Sequence, residues 1–256
     1  MPRSIWNGTI TFGLAAVPIK LYSATESKSV SFHEVHLRDG ARVEHKRVCP
    51  KHDREIPAEE TVKGYEVAGG KYVVLEKDEI KAAAGDRGKV IHLEEFVDAT
   101  AIDPVFFEKT YYAGPRDDSE PYRVLFEALR RSGRAGIGRF SFHDREYLVA
   151  ARSLENVIGL QTMRFHDEVV TGDQLDLPGG GRKPARREIE MAEKLISMLE
   201  EEFDPRDHED SYRDSVLELI KRKAAGEEID LLADVEPEHG DDLAAALEAS
   251  LASGSS

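Results

Sequence analysis

The sequence is rich in residue types that can do chemistry, but their spacing does not complete a catalytic motif. Gly69-Gly70-Lys71 resembles the end of a phosphate-binding loop, but Tyr65 stands where that loop requires a glycine. A hairpin turn before a strand at 72–75 is therefore predicted instead. No serine occupies a glycine-flanked nucleophile motif. Most carboxylates fall on predicted solvated helix faces, so the sequence gives no support for a hydrolase.

Cys49 and His52 have the spacing of half a zinc knuckle. A second pair of ligands is missing, although His36 and His45 lie nearby in the sequence, so an ordinary turn is favoured. No metal and no other cofactor is expected. Cys49 is the single cysteine, which excludes an internal disulfide and fits a reducing compartment.

Lysines and arginines are the third group with a possible chemical role. Several of them lie on a polar stretch at 43–66, which is long for a connection inside a compact domain. Cations on an extended segment suit sequence-independent contacts with phosphates. Interspersed acids such as Glu44, Asp53 and Glu55 fit an ordinary solvated surface equally well, so composition alone leaves both interpretations open. The candidate basic residues are Lys20, Arg38, Arg42, Lys46, Arg47, Lys51, Arg54, Lys63 and Arg139.

The charge of the chain is strongly uneven. The formal net charge is -15, which taken alone argues against a nucleic-acid partner. Residues 1–64 carry 10 Lys and Arg against 8 Asp and Glu, whereas residues 185–256 carry 8 against 21. Because the acidity is concentrated in the C-terminal quarter, the first part of the chain has to be judged by its own charge.

Strands must position most of these residues. Apolar alternation at period two predicts a series of strands over the first 170 residues. With 40% hydrophobic residues the chain can bury a sizeable core. Seven or eight strands joined by short turns indicate a β-barrel or a sandwich. The predicted strands cover 10–21 (with a phase shift near Pro18), 30–37, 72–75, 90–97, 110–113, 138–143, 147–151 and 157–165.

One helix interrupts the strands and others follow them. Ser119 suits the cap of the first helix, Pro121 its first turn and Gly133 the residue after its last turn. Apolar residues at three-to-four spacing predict two further helices near the C-terminus. The sequence therefore divides into a strand-rich core at 1–177, a linker at 178–185, a helical segment at 186–226 and an acidic tail at 227–256. Short helices are also predicted at 78–84 and 241–251.

Several segments are specific enough to indicate a family. The opening run is Ser4-Ile5-Trp6-Asn7-Gly8-Thr9-Ile10-Thr11-Phe12-Gly13-Leu14, and Val17-Pro18-Ile19-Lys20-Leu21-Tyr22 follows it. Further segments are Val62-Lys63-Gly64-Tyr65-Glu66, Ile137-Gly138-Arg139-Phe140 and Phe203-Asp204-Pro205. Together, over roughly residues 3–230, they resemble the bacterial Ku proteins.

The resemblance implies a mainly β fold with α-helices: a Ku-type β-barrel of about seven strands with a bridging arm, followed by a helical C-terminal arm. It implies no enzyme activity. The family binds the ends of double-stranded DNA as a ring-shaped homodimer without sequence specificity. It also recruits an ATP-dependent DNA ligase in non-homologous end joining.

The resemblance also suggests roles for the segments. The stretch at 43–66 falls where the family has its bridge, the helices at 186–226 resemble the arm that packs across the dimer, and 227–251 resembles the ligase-contacting module. Candidate phosphate contacts inside the ring are then Lys46, Arg47, Lys51, Arg54 and Lys63. Candidates on the barrel cradle are Lys20, Arg38, Arg42 and Arg139.

One departure from the family and two alternatives affect these expectations. Many bacterial Ku chains end in a lysine-rich tail, whereas this one ends acidic, so the tail is expected to face away from DNA and toward a partner. A barrel-type peptide-binding module of a DNA-associated complex is the alternative, but such a module has no use for a long basic bridge. A metal-dependent nuclease would need clustered carboxylates near the barrel mouth.

The sequence also bears on location. No apolar run approaches the ~20 residues of a membrane span, and Met1–Trp6 lack the apolar stretch of a secretion signal. A cytoplasmic, nucleoid-associated protein without a membrane partner is expected.

Overall fold

The structure, a computed structural model, describes residues 2–83, 89–117, 119–142, 145–176, 183–227 and 243–253. Eleven strands and five α-helices lie within these ranges. The strands are β1 (Trp6–Phe12), β2 (Ala15–Ser23), β3 (Val48–Cys49), β4 (Arg54–Glu55), β5 (Lys63–Val67), β6 (Lys71–Leu75), β7 (Val90–Asp98), β8 (Phe107–Pro115), β9 (Arg134–Phe142), β10 (Arg145–Leu154) and β11 (Val157–Met163). The helices are α1 (Lys77–Ala83), α2 (Glu120–Ser132), α3 (Arg186–Met198), α4 (Ser211–Ala224) and α5 (Leu243–Ser253).

Seven of the strands form a closed barrel in the order β1-β2-β8-β11-β10-β9-β7. Neighbouring strands are antiparallel except at one seam, where β1 runs parallel to β7 with Thr9 opposite Val90. Closure leaves the barrel without an open edge. The β-barrel of about seven strands that the family resemblance implies is therefore confirmed.

The core lies inside the barrel. Alternate residues of each strand point inward, and Ile10, Ile19 and Phe140 are at most 1% exposed. Helix α2 contributes to the same core through Leu125 and Leu129, each 2% exposed. The helix thereby adds apolar contacts that the strands alone would not supply.

Helix α2 is held by its caps and by one tyrosine. Ser119 Oγ accepts a hydrogen bond from the Tyr122 amide at 3.2 Å, and Gly133 takes a left-handed φ of 63° after the last turn. Both features were predicted and are confirmed. The Tyr122 hydroxyl donates to the Ala113 carbonyl at 2.7 Å and accepts from the Ile158 amide at 3.1 Å, so it links α2 to β8 and β11.

Two strand predictions need correction. The strand predicted at 30–37 is wrong: within it only Val35 pairs, in a single bridge to Arg42, after the chain reverses at Gly40 with φ 70°. Apolar alternation there does not reflect a sheet, because the residues from 33 to 37 are exposed. The strand predicted at 72–75 is confirmed, but it pairs with β5 instead of a barrel strand. The sequence interpretation missed β5.

The chain forms two compact units, Met1–Ser27 with His33–Gln174, and Lys28–Phe32 with Leu175–Ser256. The first contains the barrel and the second contains α3, α4 and α5. The helices predicted within 186–226 are confirmed, and Gly226, at φ 86°, follows the end of α4. Most of the predicted linker and most of the acidic tail lie outside the described residues. In the part of the chain that is described, no helix is both long and apolar enough to cross a membrane.

Candidate nucleic-acid interface

The candidate basic residues fall into two groups in the structure. Lys20 and Arg139 lie on barrel strands, whereas the other seven lie between Arg38 and Lys63. From Arg38 to Arg54 the chain carries six Lys and Arg against three Asp and Glu. This stretch is therefore locally positive in a chain that is acidic overall.

The two barrel candidates both point away from the core. Lys20 sits between the buried Ile19 and Leu21, so its side chain lies on the outer face, where it is half-buried. Arg139 lies outward from β9, next to the buried Phe140. The barrel scaffold thus presents both cations to its outer surface.

Arg139 is held between carboxylates of the two neighbouring strands. Its Nη1 donates to Glu146 Oε1 at 2.7 Å, and its Nε lies 3.8 Å from Glu94 Oε1. The hydrogen bond from Glu146 raises the pKa of the guanidinium above its usual value. A phosphate at Arg139 would have to compete with these carboxylates, whereas no carboxylate of the described residues lies within 4.0 Å of the Lys20 ammonium.

Arg38 and Arg42 flank a tight turn. The Asp39 carboxylate accepts from the Ala41 amide at 3.0 Å and lies 2.9 Å from His36 Nδ1. The backbone hydrogen bond, followed by the contact with His36, lowers the pKa of Asp39. These contacts fix the turn, and both arginine side chains remain exposed.

The β3–β4 hairpin carries four more candidates. Lys46 Nζ donates to Glu55 Oε2 at 2.8 Å, and this bond raises the pKa of the lysine. Arg54 pairs more loosely with Glu60, at 3.5 Å. Arg47 and Lys51 are exposed, and within the described part of the chain neither forms an ion pair. The hairpin therefore offers two cations that are already balanced and two that are open to an anion.

A cleft of about 410 Å³ opens beside this hairpin. Its lining includes His45, Lys46 and Arg47 on one side and Ile56 and Pro57 on the other. The Ile56 amide donates to the Arg47 carbonyl at 2.9 Å, which fixes the cleft wall. Glu55 also lines the cleft and pairs with Lys46, and His45 contacts Glu34, so Arg47 is the cation of this lining that remains open to an anion.

Cys49 and His52 lie in the β3–β4 turn. The Sγ and Nδ1 atoms are 3.4 Å apart, and the His52 amide donates to the Cys49 carbonyl at 3.1 Å, as in the ordinary turn that was predicted. His36 and His45 instead contact Asp39 and Glu34. Among the described residues, no group of three or more His, Cys, Asp and Glu is arranged to hold a metal ion.

The β5–β6 hairpin is exposed along its whole length. All ten of its residues are exposed. The strand register puts Lys63, Tyr65, Val67, Lys71, Val73 and Leu75 on one face and Gly64, Glu66, Tyr72 and Val74 on the other. Sequence analysis missed Lys71 and Tyr65 as members of this surface. The signal that could have placed them was the alternation of Tyr65 and Val67 with polar residues, followed by the glycine turn at 69–70 and the apolar run at 72–75.

Comparisons with known proteins agree in one family. The family model of the Ku70/Ku80 beta-barrel domain matches residues 11–193. The chain is 41% identical over 256 residues to the non-homologous end joining protein Ku of Anaeromyxobacter sp. (strain K), with 98% of this chain and 86% of that protein covered. The protein of the same name from Bacillus subtilis (strain 168) is 34% identical, covering 97% and 81%. Non-homologous end joining protein Ku 1 of Geotalea uraniireducens (strain Rf4) is 32% identical, covering 96% and 95%.

Proposed function

Because the chain belongs to the Ku β-barrel family of bacterial non-homologous end joining proteins, we propose that it binds the ends of double-stranded DNA as a ring-shaped homodimer. In this proposal it is not an enzyme. It reads no base sequence, and it recruits an ATP-dependent DNA ligase to the bound end.

The proposal of a homodimer rests on the exposure of the β5–β6 hairpin. Tyr65 is 69% exposed, Tyr72 64% and Val74 52%, and they are distributed over both faces of the hairpin. An isolated two-stranded hairpin is marginally stable in water and needs a packing partner. Large apolar side chains exposed in this number are typical of a protein interface. A second copy of the chain, presenting the same hairpin, would cover it and close the ring.

The cations near the hairpins support DNA as the ligand. Arg47, Lys51 and Lys63 are exposed on the same part of the chain as the apolar hairpin surface. Contacts with phosphates need no base readout, so affinity for different sequences should be similar. A closed ring can thread onto a duplex only where the duplex stops, which would explain a preference for ends.

Ligase recruitment is assigned to the C-terminal region by charge. After Lys223 the chain carries nine Asp and Glu and no Lys or Arg. Such a segment is repelled by phosphates. It is therefore better suited to a protein partner than to DNA.

A comparison of linear and covalently closed circular DNA of one sequence tests the ring. Gel shift at about 50 mM salt should show binding to linear duplex and little binding to the circle. With about 6–10 phosphates engaged, affinity should fall by about 10³–10⁵ between ~50 and ~200 mM salt. Equal binding to both forms, or a flat salt response, would contradict end binding by threading.

A further inference from the structure

Helix α5 packs against α3 within the second unit. The contact includes an ion pair in which Arg187 Nη2 donates to Glu248 Oε1 at 2.6 Å. The two residues are 61 positions apart in the chain, so this contact is tertiary. The end of the acidic tail is therefore folded back onto the helical arm.

Each of the two helices contributes apolar side chains and a charged side chain to this contact. On α3, Met191 and Leu195 follow Arg187 at intervals of four and are half-buried, as are Glu188 and Ala192, whereas the other residues of the helix are exposed. On α5, Ala244 and Leu251 lie on the same face as Glu248 and are also half-buried. Glu248 is the single charged residue of α5. The contact thus joins apolar side chains of both helices and an ion pair between Arg187 of α3 and Glu248 of α5.

We propose that α5 is a detachable docking helix, and that α3 occupies the face of α5 that a partner protein binds. This inference rests on the proposed recruitment of a ligase by the C-terminal region. The partner surface should resemble that of α3: an apolar groove with a cation placed to meet Glu248. Burial of one helix face in an apolar groove is a common mode of helix recognition.

Competition between α3 and the partner follows from this geometry. A helix of 11 residues with a low charge content is marginal alone, so it is folded while it is packed on α3 or on a partner. While α5 lies on α3, its apolar stripe is covered. Weakening the α3 contact should therefore raise the apparent affinity for the partner, because a larger fraction of molecules has α5 available.

Charge reversal on the full-length protein tests the proposal. In Arg187→Glu, two carboxylates oppose each other and α5 is released more often. An exposed ion pair is worth about 0.2–1 kcal/mol, so amide hydrogen exchange in α5 should accelerate by about two- to fivefold. Stimulation of DNA joining by a purified bacterial ATP-dependent ligase should reach half-maximum at a ligase concentration lower by about the same factor. The double variant Arg187→Glu/Glu248→Arg should restore slow exchange.

Arg186→Glu is the matched control, because Arg186 pairs with Glu190 on its own helix. It should leave α5 exchange unchanged. Unchanged exchange in Arg187→Glu would overturn the docking of α5 on α3. Faster exchange with unchanged ligase dependence would overturn the competition. If the wild-type protein does not stimulate the ligase at all, the proposed function fails, while the exchange data still decide the α3–α5 contact.

Discussion

The barrel and the β5–β6 hairpin are both antiparallel β-structure, yet they stand at opposite limits of burial. Inward residues of the barrel such as Ile10 and Ile158 are 0% exposed, whereas every residue of the hairpin is exposed. Hydrogen bonding between strands is satisfied in both regions, so pairing alone does not decide stability. Burial of apolar side chains supplies the main driving force. The barrel therefore supports itself, whereas the hairpin lacks a buried apolar face of its own and is the region that the proposed second copy would cover.

The largest effect is expected in the barrel core. Phe140→Ala removes a ring that is 1% exposed and packs edge-on against Trp6 at 5.0 Å. Loss of the buried ring and the resulting cavity should lower the free energy of unfolding by about 3–5 kcal/mol. Urea unfolding followed by circular dichroism measures this. A loss under about 1 kcal/mol would show that the barrel is no better packed than the hairpin.

An intermediate effect is expected when the hairpin receives a charge. Val73→Asp should leave the free energy of unfolding of the barrel within about 0.5 kcal/mol of the wild type, because Val73 is 49% exposed. It should weaken the proposed dimer by about tenfold or more, because a carboxylate would be buried in the interface. Sedimentation at several protein concentrations measures the fractions of monomer and dimer. Leu14→Asp is the control, since Leu14 is an exposed leucine in the turn before β2. Equal dimerisation of both variants would mean that the hairpin is not the interface.

Removal of cations from the β3–β4 and β5–β6 hairpins should weaken DNA binding without changing the stability of the fold. In Lys46→Ala/Arg47→Ala/Lys63→Ala, each lost phosphate contact reduces the slope of log affinity against log salt by about 0.9. We expect a slope smaller by up to about 2.7 and an unchanged melting temperature. Replacing Arg186, Lys194 and Arg206 by alanine makes the same charge change in the second unit. If that control weakens end binding as much as the first variant, the contacts are not specific to the hairpins.

The smallest effect is a pH dependence on the surface of α2. Arg130 and Arg131 hydrogen-bond to the Glu127 carboxylate and lower its pKa from 4.5 to about 2. A carboxyl with a depressed pKa in the folded state stabilises the protein above the unfolded pKa, and this contribution is lost as pH falls through the folded pKa. The melting temperature of Glu127→Gln should therefore be slightly below that of the wild type at pH 7, with the difference shrinking between about pH 4.5 and 2. A difference that grows on acidification would contradict the ion pairs.

The same contrast explains what the sequence could predict. Alternation identified the barrel strands because one face of each is buried, and Ser119 and Gly133 marked both ends of α2 because their roles are local. Alternation misled at 30–37, where nothing is buried. The sequence interpretation also missed β5, where the alternation is limited to two apolar residues, Tyr65 and Val67.

The site was predictable only in part, because it depends on register. Arg139 could be placed on the outer face of β9 from its neighbours alone. Its contact with Glu94 and Glu146 requires knowledge of which residues stand opposite across two ladders, one of which is irregular between Leu93 and Glu95. The ion pair between Lys46 and Glu55 likewise depends on the pairing of β3 with β4. These strands have only two residues each, which is too short for a recognisable sequence pattern.

The parallel seam between β1 and β7 has a consequence for how the chain is assembled. Residues 24–89 separate β2 from β7 in the sequence. The pairing of β1 with β7, which closes the barrel, therefore joins segments that are far apart in the chain. Contacts of such long sequence separation slow folding. The segment between β2 and β7 should nevertheless tolerate changes in length, because doubling the length of a loop costs only about 0.6 kcal/mol. The length and the surface residues of this segment could therefore change during evolution while the barrel stays the same.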